Sequence, residues 1–438
     1  MTFHPGANEI EWLASLTTLA EEIGEEVFGY PIRWRVETGL RRRRNRSDVV
    51  IEDSGGTIII TGEAKRPDDP HGLTPLDVSE VDDAVGKAQH QGSRWCFTTN
   101  FHQIAVFDAG SGLMASPLSR LQGNVIPFIP SSLAQSTGWW AALSDDQRRQ
   151  STELGLRRLF ERTRMLRQGE EALVLVDEVV VDFFSEFAAK LLDPLWRHFL
   201  NDNSARGATI RERALVAGLD IDDRQEARYL VAQGIFEVLS AALFYRLLAD
   251  NFAELRPLLG GTSPRTSVVL ANTVHASLTE AEGITGDYES ILRLSAVGNW
   301  VLRHATADAV RHWNALLAFV DRLDLANLSS DVLGSIFERL ISPERRREMG
   351  QHYTQPRLAR SMAKWAVTSR DDIVLDPTCG AGTFLVETYG RQRDLGASHD
   401  EILARTYGND LDPFAVHLAA INLATRRLRH GSNHPLGL

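Results

Sequence analysis

Cysteine is nearly absent from these 438 residues. Only Cys96 and Cys379 occur, far apart in the chain, which leaves neither a disulfide framework nor a cysteine zinc site to build on. No apolar run reaches the roughly 18 residues that a membrane span needs. The best candidate, Ile235 to Leu248, is interrupted by Glu237 and Arg246 and reads as a buried helix. A secretory signal is also missing, since Glu9, Glu11, Glu21 and Glu22 alternate with leucines where a basic head and an apolar core belong. The expectation is a cytoplasmic chain with no membrane partner. Positive charge is scarce as well: 47 Lys and Arg stand against 58 Asp and Glu, a net charge of -11. That argues against a general polyanion binder but says little about local fields. One local field runs the other way, because residues 31–46 hold Arg33, Arg35, Arg41, Arg42, Arg43, Arg44 and Arg46 against the single acid Glu37.

At 48.7 kDa the chain is too long for one core. Its 43% apolar content is that of a globular protein. From Ala7 to Phe28, Ile10, Leu13, Leu16, Leu19, Ile23 and Val27 recur at helical spacing, and Gly29-Tyr30-Pro31 ends the run, so one amphipathic helix is predicted. Ile32 to Thr38, Ser47 to Ile51 and Thr57 to Ala64 read as strands, the last two joined by a hairpin-type turn at Asp53-Ser54-Gly55-Gly56. Val78 to Ala88 returns to helix, and Trp95 to Thr99 and Ile104 to Phe107 supply two short strands. From about residue 135 to 340 the pattern is almost wholly helical, with Phe183, Phe184, Phe187, Leu191 and Leu195 on one stripe. Beyond Gly350, a short strand at Ile373 to Asp376, a glycine turn, a helix and a second strand at Tyr407 to Asp410 begin a doubly wound α/β domain. The predicted division is 1–130, 131–340 and 341–438.

Asp48 falls on the second predicted strand, and Glu63-Ala64-Lys65 ends the third. A hairpin can therefore set Asp48 beside Glu63, and alternation puts Glu63 and Lys65 on one face. Two carboxylates held together repel unless a divalent cation sits between them, and such a cation can activate water against a phosphodiester. The plain reading of an acid-x-lysine triplet is a solvated strand end. The element order helix, three strands, helix, strand around these residues resembles the PD-(D/E)xK nuclease family. Ser47 stands where the family name has proline. Gln91-Gly92-Ser93-Arg94-Trp95 resembles the glutamine-x-x-x-tyrosine signature of restriction subunits. The resemblance implies Mg2+, held by Asp48 and Glu63, with Lys65 orienting water and Glu37 a further acid to consider. The arginine run Arg41 to Arg44 is either a solvated loop or a grip on DNA phosphates.

The most specific segment is Asp376-Pro377-Thr378-Cys379-Gly380-Ala381-Gly382-Thr383-Phe384-Leu385. A strand delivers an acid, a glycine turn lets a ligand approach the backbone, and a helix begins at once. Downstream, Gly408-Asn409-Asp410-Leu411-Asp412-Pro413 ends a strand on an acid suited to a ribose diol. Upstream lies Gly350-Gln351-His352-Tyr353-Thr354-Gln355-Pro356. In this order the three segments resemble the gamma-type adenine DNA methyltransferases of restriction systems, apart from Gln355 between Thr354 and Pro356. The resemblance implies S-adenosylmethionine (SAM) as cofactor. Asp376 would lie near its methionine amino group, Gly380 and Gly382 against the ligand, Asp410 on the ribose, and Tyr353 and Thr354 along the methionine side. Cys379 and His352 read as structural. These enzymes hold a flipped-out adenine with an N/D/S-P-P-Y/F/W segment, and no such tetrapeptide occurs in this sequence. The chain stops at Leu438, before further strands, which leads to the expectation of a truncated product or one half of a split enzyme.

Nuclease, helical connector and methyltransferase in this order resemble single-chain type IIG restriction-modification enzymes. The expected fold is therefore a mixed α/β and α multidomain chain with a nuclease core, a helical connector and an incomplete Rossmann-like domain. Its partners would be double-stranded DNA and a separate C-terminal methyltransferase or target-recognition polypeptide. Two other readings stand beside it: a phage-defence component that senses DNA or proteins without methylating, and a Mg2+ nuclease whose C-terminal part is only structural.

Overall fold

The computed structural model describes residues 9–37, 47–66, 69–110, 116–127, 145–169, 176–201, 208–216, 218–249, 252–285, 288–323, 354–411, 413–424 and 426. Two compact units divide the chain: residues 1–179 with 322–327, and residues 180–321 with 328–438.

The first unit opens on two helices, α1 (Glu9–Ser15) and α2 (Thr17–Phe28), where the sequence predicts one. The hydroxyls of Ser15 and Thr17 donate back to the carbonyls of Trp12 and Ala14, at 2.6 and 2.9 Å, and so compete with the helical ladder around Leu16. Strands β1 (Ile32–Val36), β2 (Val49–Asp53) and β3 (Ile58–Ala64), helix α3 (Val78–Gln91), and strands β4 (Trp95–Thr99) and β5 (Gln103–Asp108) follow in the predicted order. A short helix, α4 (Pro117–Arg120), and a short strand, β6 (Ile126–Pro127), complete the sheet region. Strand order is β1-β2-β3-β4-β5-β6, antiparallel except between β3 and β4. The turn between β2 and β3 closes as its residues dictate: Asp53 Oδ1 accepts from the Gly55 and Thr57 amides, both at 2.9 Å, and Gly56 takes φ +81°.

The parallel β3–β4 pair forces a crossover, and α3 makes it, lying against both strands. Asp77 caps α3 by accepting from the Ser79 and Glu80 amides, and Gly92 ends it in the left-handed region. On β3, Gly62 has no side chain because the Phe97 ring lies where one would be, 2.1 Å from an ideal Cβ. Helix α5 (Asp145–Arg167) packs on α2, and its Leu156, Leu159 and Phe160 share a core with Leu13, Ile23, Trp34 and Ile60. The first unit thus extends beyond residue 130.

Helix α6 (Val176–Asn201) leads to α7 (Ala208–Val216), α8 (Arg224–Ala249), α9 (Ser267–Thr285), α10 (Glu289–Leu292), α11 (Ala296–Arg303) and α12 (Ala307–Asp321). The second unit is organised around α8. Among the described residues α8 is the one helix long and apolar enough to cross a membrane, and 89% of its apolar window is buried by α9, α11 and α12. Phe183 stacks on Phe187 and Phe319 at 4.7 and 3.9 Å, as the aromatic stripe of α6 requires. Glu237, buried on α8, accepts from both the amide and the hydroxyl of Ser295 and so holds the N-terminus of α11.

The C-terminal segment of this unit contains α13 (Pro356–Ala366), β7 (Val374–Asp376), α14 (Thr383–Asp394), α15 (His399–Leu403), β8 (Thr406–Gly408) and α16 (Pro413–Ala424). β7 and β8 pair in parallel with Asp376 opposite Gly408. Helices α14 and α16 pack together, and α16 also meets α8, where Ser240 Oγ lies 3.0 Å from His417 Nε2. Ile373, Leu375, Tyr407 and Leu411 remain exposed on and beside the two strands, as do Leu358, Met362 and Trp365 along one stripe of α13.

Candidate functional site

Each unit carries its own candidate site. In the first, antiparallel pairing of β2 with β3 sets Val49 opposite Gly62, so Asp48, one residue before β2, meets Glu63. The two are laced together: the Asp48 amide donates to Glu63 Oε1 at 3.2 Å, and the Ala64 amide donates to Asp48 Oδ2 at 3.1 Å. Both are buried, Glu63 to 2% exposure. Burial and the Asp48 charge push the Glu63 carboxyl up to about 8, against the pull of Lys87. The Glu37 amide donates to the Asp48 carbonyl at 3.0 Å.

Lys65 does not face this pair as alternation alone suggests. Its ammonium lies 3.6 Å from Glu80 on α3, and the cation on Glu63 is Lys87, at 2.7 Å from Oε2. Lys87 also reaches Asp83 at 2.6 Å, and Gln91, one helical turn further, donates to Ser47 Oγ at 3.0 Å. Burial opposes the Lys87 charge, but Glu63 and Asp83 outweigh it and raise its pKa to about 12. Burial pushes Glu80 up to about 7, with Lys65 opposing. The sequence reading missed Glu80, Asp83 and Lys87. The signal was available in their spacing with Gln91, which puts all four along one side of a helix that crosses the sheet. The arginines Arg41 to Arg44 lie outside the described residues.

Among the described residues no three His, Cys, Asp or Glu side chains converge as a metal cage. Mg2+ needs none, since it is commonly held by one or two carboxylates with water and substrate phosphate completing its shell. Asp48 and Glu63 fit that donor set, because the charge penalty on buried Glu63 is what a divalent cation would relieve.

In the second unit, the strand ends and the glycine turn are tied by backbone bonds. The Cys379 amide donates to the Asn409 carbonyl at 2.8 Å, and the Asn409 amide to the Asp376 carbonyl at 2.9 Å. Asp376 Oδ1 accepts from the Thr378 amide at 3.2 Å, and Asp410 Oδ2 accepts from the Gly380 amide at 2.9 Å. Burial, with Asp410 nearby, raises the Asp376 carboxyl above its ordinary range. Burial, Asp410 and Asp376 push the Cys379 thiol up to about 11, so it is no nucleophile at neutral pH.

The two glycines differ. At Gly380, φ is +52° and an added Cβ would meet nothing within 4 Å. At Gly382, φ is +86° and a Cβ would stand 3.0 Å from Ala419 Cβ on α16. Gly380 therefore opens a cradle, while Gly382 lets two helices close on each other. Thr354 is half-buried just before α13. Tyr353 lies outside the described residues.

Residues 328–434 match the family model described as N-6 DNA Methylase. Among curated proteins the chain is similar to two methylase subunits of type I restriction enzymes from Methanocaldococcus jannaschii. It is 23% identical to the MjaVII subunit over 220 residues, 43% of this chain and 37% of that one. It is 24% identical to the MjaVIII subunit over 242 residues, 48% of this chain and 40% of that one. The chain thus spans about two-fifths of the length of these relatives. Among solved structures, a DrdV–DNA complex matches 95% of this chain and 36% of its own at 17% identity and a TM-score of 0.35. The type IIG restriction endonuclease BpuSI matches 96% and 41% at 12% identity and a TM-score of 0.30. The motif order, the family match over 328–434 and the similarity to two type I methylase subunits agree that the C-terminal segment of this chain carries an N-6 DNA methylase domain.

Proposed function

We propose that this chain is a restriction-modification polypeptide in which a Mg2+-dependent DNA endonuclease is joined, through a helical connector, to part of a SAM-dependent adenine methyltransferase. The observation that carries the nuclease half is the buried Asp48–Glu63 pair, held by two reciprocal backbone hydrogen bonds and faced by lysine. Buried acids are costly to keep together without a cation. Asp48 and Glu63 would hold Mg2+, which supplies Lewis-acid stabilisation of charge on a phosphodiester when bound. Lys87 adds positive charge beside Glu63, and Gln91 holds Ser47, the neighbour of Asp48 in the chain. Arg41 to Arg44, in the β1–β2 connection, would grip the DNA backbone next to the acids.

For the methyltransferase half, SAM is supported by the open space at Gly380 and by the acids at the ends of β7 and β8. Asp376 would take the methionine amino group and Asp410, while bracing the Gly380 amide, the ribose. Thr354 and Tyr353 would line the methionine side. The exposed Ile373, Leu375 and Tyr407 favour further polypeptide, covalently continuous or separate, to cover the strands and bring the adenine-holding segment that this sequence does not contain.

Plasmid DNA incubated with the purified chain and Mg2+ tests the nuclease half. Wild type should nick or cut it, and Asp48→Ala should reduce the rate at least a hundredfold with the melting temperature retained. Equal rates for the two proteins would remove Asp48 from the site.

A further inference from the structure

The Glu63 carboxyl already has a cation beside it, and that cation belongs to the protein. Lys87 Nζ stands 2.7 Å from Glu63 Oε2 and 2.6 Å from Asp83 Oδ2 on its own helix. The two partners differ in their surroundings. Glu63 is 2% exposed at its side chain, whereas Asp83 is 49% exposed. Lys87 itself keeps 16% exposure, so its ammonium lies between a buried acid and a wet one. Glu63 Oε1 is meanwhile committed to the Asp48 amide, which leaves Oε2 as the oxygen a metal ion would take.

Metal–oxygen distances for hard divalent cations are about 2.0–2.6 Å. A metal ion and the Lys87 ammonium on the same oxygen would therefore stand no more than about 5 Å apart. At that separation in a buried site they repel strongly. They compete for Oε2.

We infer that Lys87 is a gate on the divalent-cation site: it occupies Glu63 Oε2 when no metal is bound, and metal binding moves its ammonium off Glu63 and onto Asp83. The inference rests on the reading of Asp48 and Glu63 as the cation-holding pair and adds to it a competitor and a place for that competitor to go. Asp83 is four residues from Lys87 on α3 and already within ion-pair distance, so the displaced ammonium keeps a partner and gains water. Lys65 has no such role, because its ammonium is engaged by Glu80.

The arrangement makes two substitutions act in opposite directions. Lys87→Met removes the competitor and should tighten metal binding. Asp83→Asn removes the alternative partner, holds Lys87 on Glu63 and should weaken it. The experiment is calorimetric titration of Ca2+, used as the probe cation, into the full chain without DNA, for wild type, Lys87→Met, Asp83→Asn, Glu63→Gln and, as a control for lost positive charge, Lys364→Met on the exposed side of α13. The expected results are binding tightened roughly tenfold or more by Lys87→Met, weakened several-fold by Asp83→Asn, abolished by Glu63→Gln and unchanged by Lys364→Met. Thermal melts report folding, and if Lys87→Met does not fold, the sign of the Asp83→Asn effect decides. Should Glu63→Gln abolish binding while Lys87→Met leaves it unchanged or weaker, the gate is wrong and the cation pair stands. If neither wild type nor Lys87→Met binds Ca2+, both fall.

Discussion

Replacing Glu63 by glutamine preserves the shape of the side chain and removes the charge that the fold finds most expensive. Its carboxyl is pushed from 4.5 to about 8, chiefly by burial and secondly by Asp48. A carboxyl raised in this way keeps its proton in the folded chain and loses it on unfolding. Between pH 4.5 and about 8 the unfolded chain binds fewer protons, so stability falls as pH rises through that window and stays low above it. At about 1.4 kcal/mol per pH unit, the ceiling on this loss is roughly 5 kcal/mol. Relaxation and water entry around the ionised group bring the expected value to about 2–4 kcal/mol. Glu63→Gln escapes the loss altogether. It should match wild type near pH 4.5 and exceed it by that amount above pH 8, as read by urea unfolding followed through tryptophan fluorescence with EDTA present. Millimolar Mg2+ should then stabilise wild type, by binding the folded state alone, and leave Glu63→Gln unmoved. A difference between the two proteins that stays constant across the pH window would refute the assignment of a charge penalty to Glu63.

Other outcomes follow from the same geometry. Gly380→Ala should cost only the strain of a left-handed alanine, about 1 kcal/mol, yet abolish SAM binding, whereas Gly382→Ala meets Ala419 as well and should cost about 2–5 kcal/mol. Calorimetry with SAM and thermal melts on both variants separate the two roles, and equal melting temperatures would contradict them. Neutralising Arg41 to Arg44 should flatten the salt dependence of DNA binding by roughly 0.9 in log-log slope for each phosphate that an arginine no longer neutralises; filter binding over a salt series reads this directly, and an unaltered slope would make the run a solvated loop. With radiolabelled SAM and mixed-sequence DNA, the chain should transfer no label unless a polypeptide carrying an N/D/S-P-P-Y/F/W segment is added, because the amino group of adenine is otherwise not held in line with the methyl donor. Label appearing with the chain alone would overturn that expectation.

Much of the first unit was legible in the residues. Period-two alternation marked β1, short apolar runs bounded by turn residues marked β2 and β3, and the aspartate–glycine turn at 53–56 joins the two strands in the register that puts Asp48 beside Glu63. The glycine turn at 380–382 was legible for the same reason: positive φ at two close positions demands glycine whatever the rest of the chain does. The single helix predicted over 7–28 was not found, because two hydroxyls compete locally for carbonyls that periodicity assigns to the ladder.

Local sequence determined the elements, the acids at strand ends and the order of the two candidate sites, since each depends on neighbours within a turn or a hairpin. Tertiary structure alone decided which lysine faces Glu63. Alternation places Lys65 on the right face, but the crossover between parallel β3 and β4 lays α3 along that face and brings Lys87 in from 24 residues away. It likewise decided that Gly380 borders open space while Gly382 borders α16, a difference carried by Ala419, which no spacing rule connects to the turn. Electrostatic and steric contacts fall off within a few ångströms and are blind to separation along the chain, so the partners of a residue follow from packing.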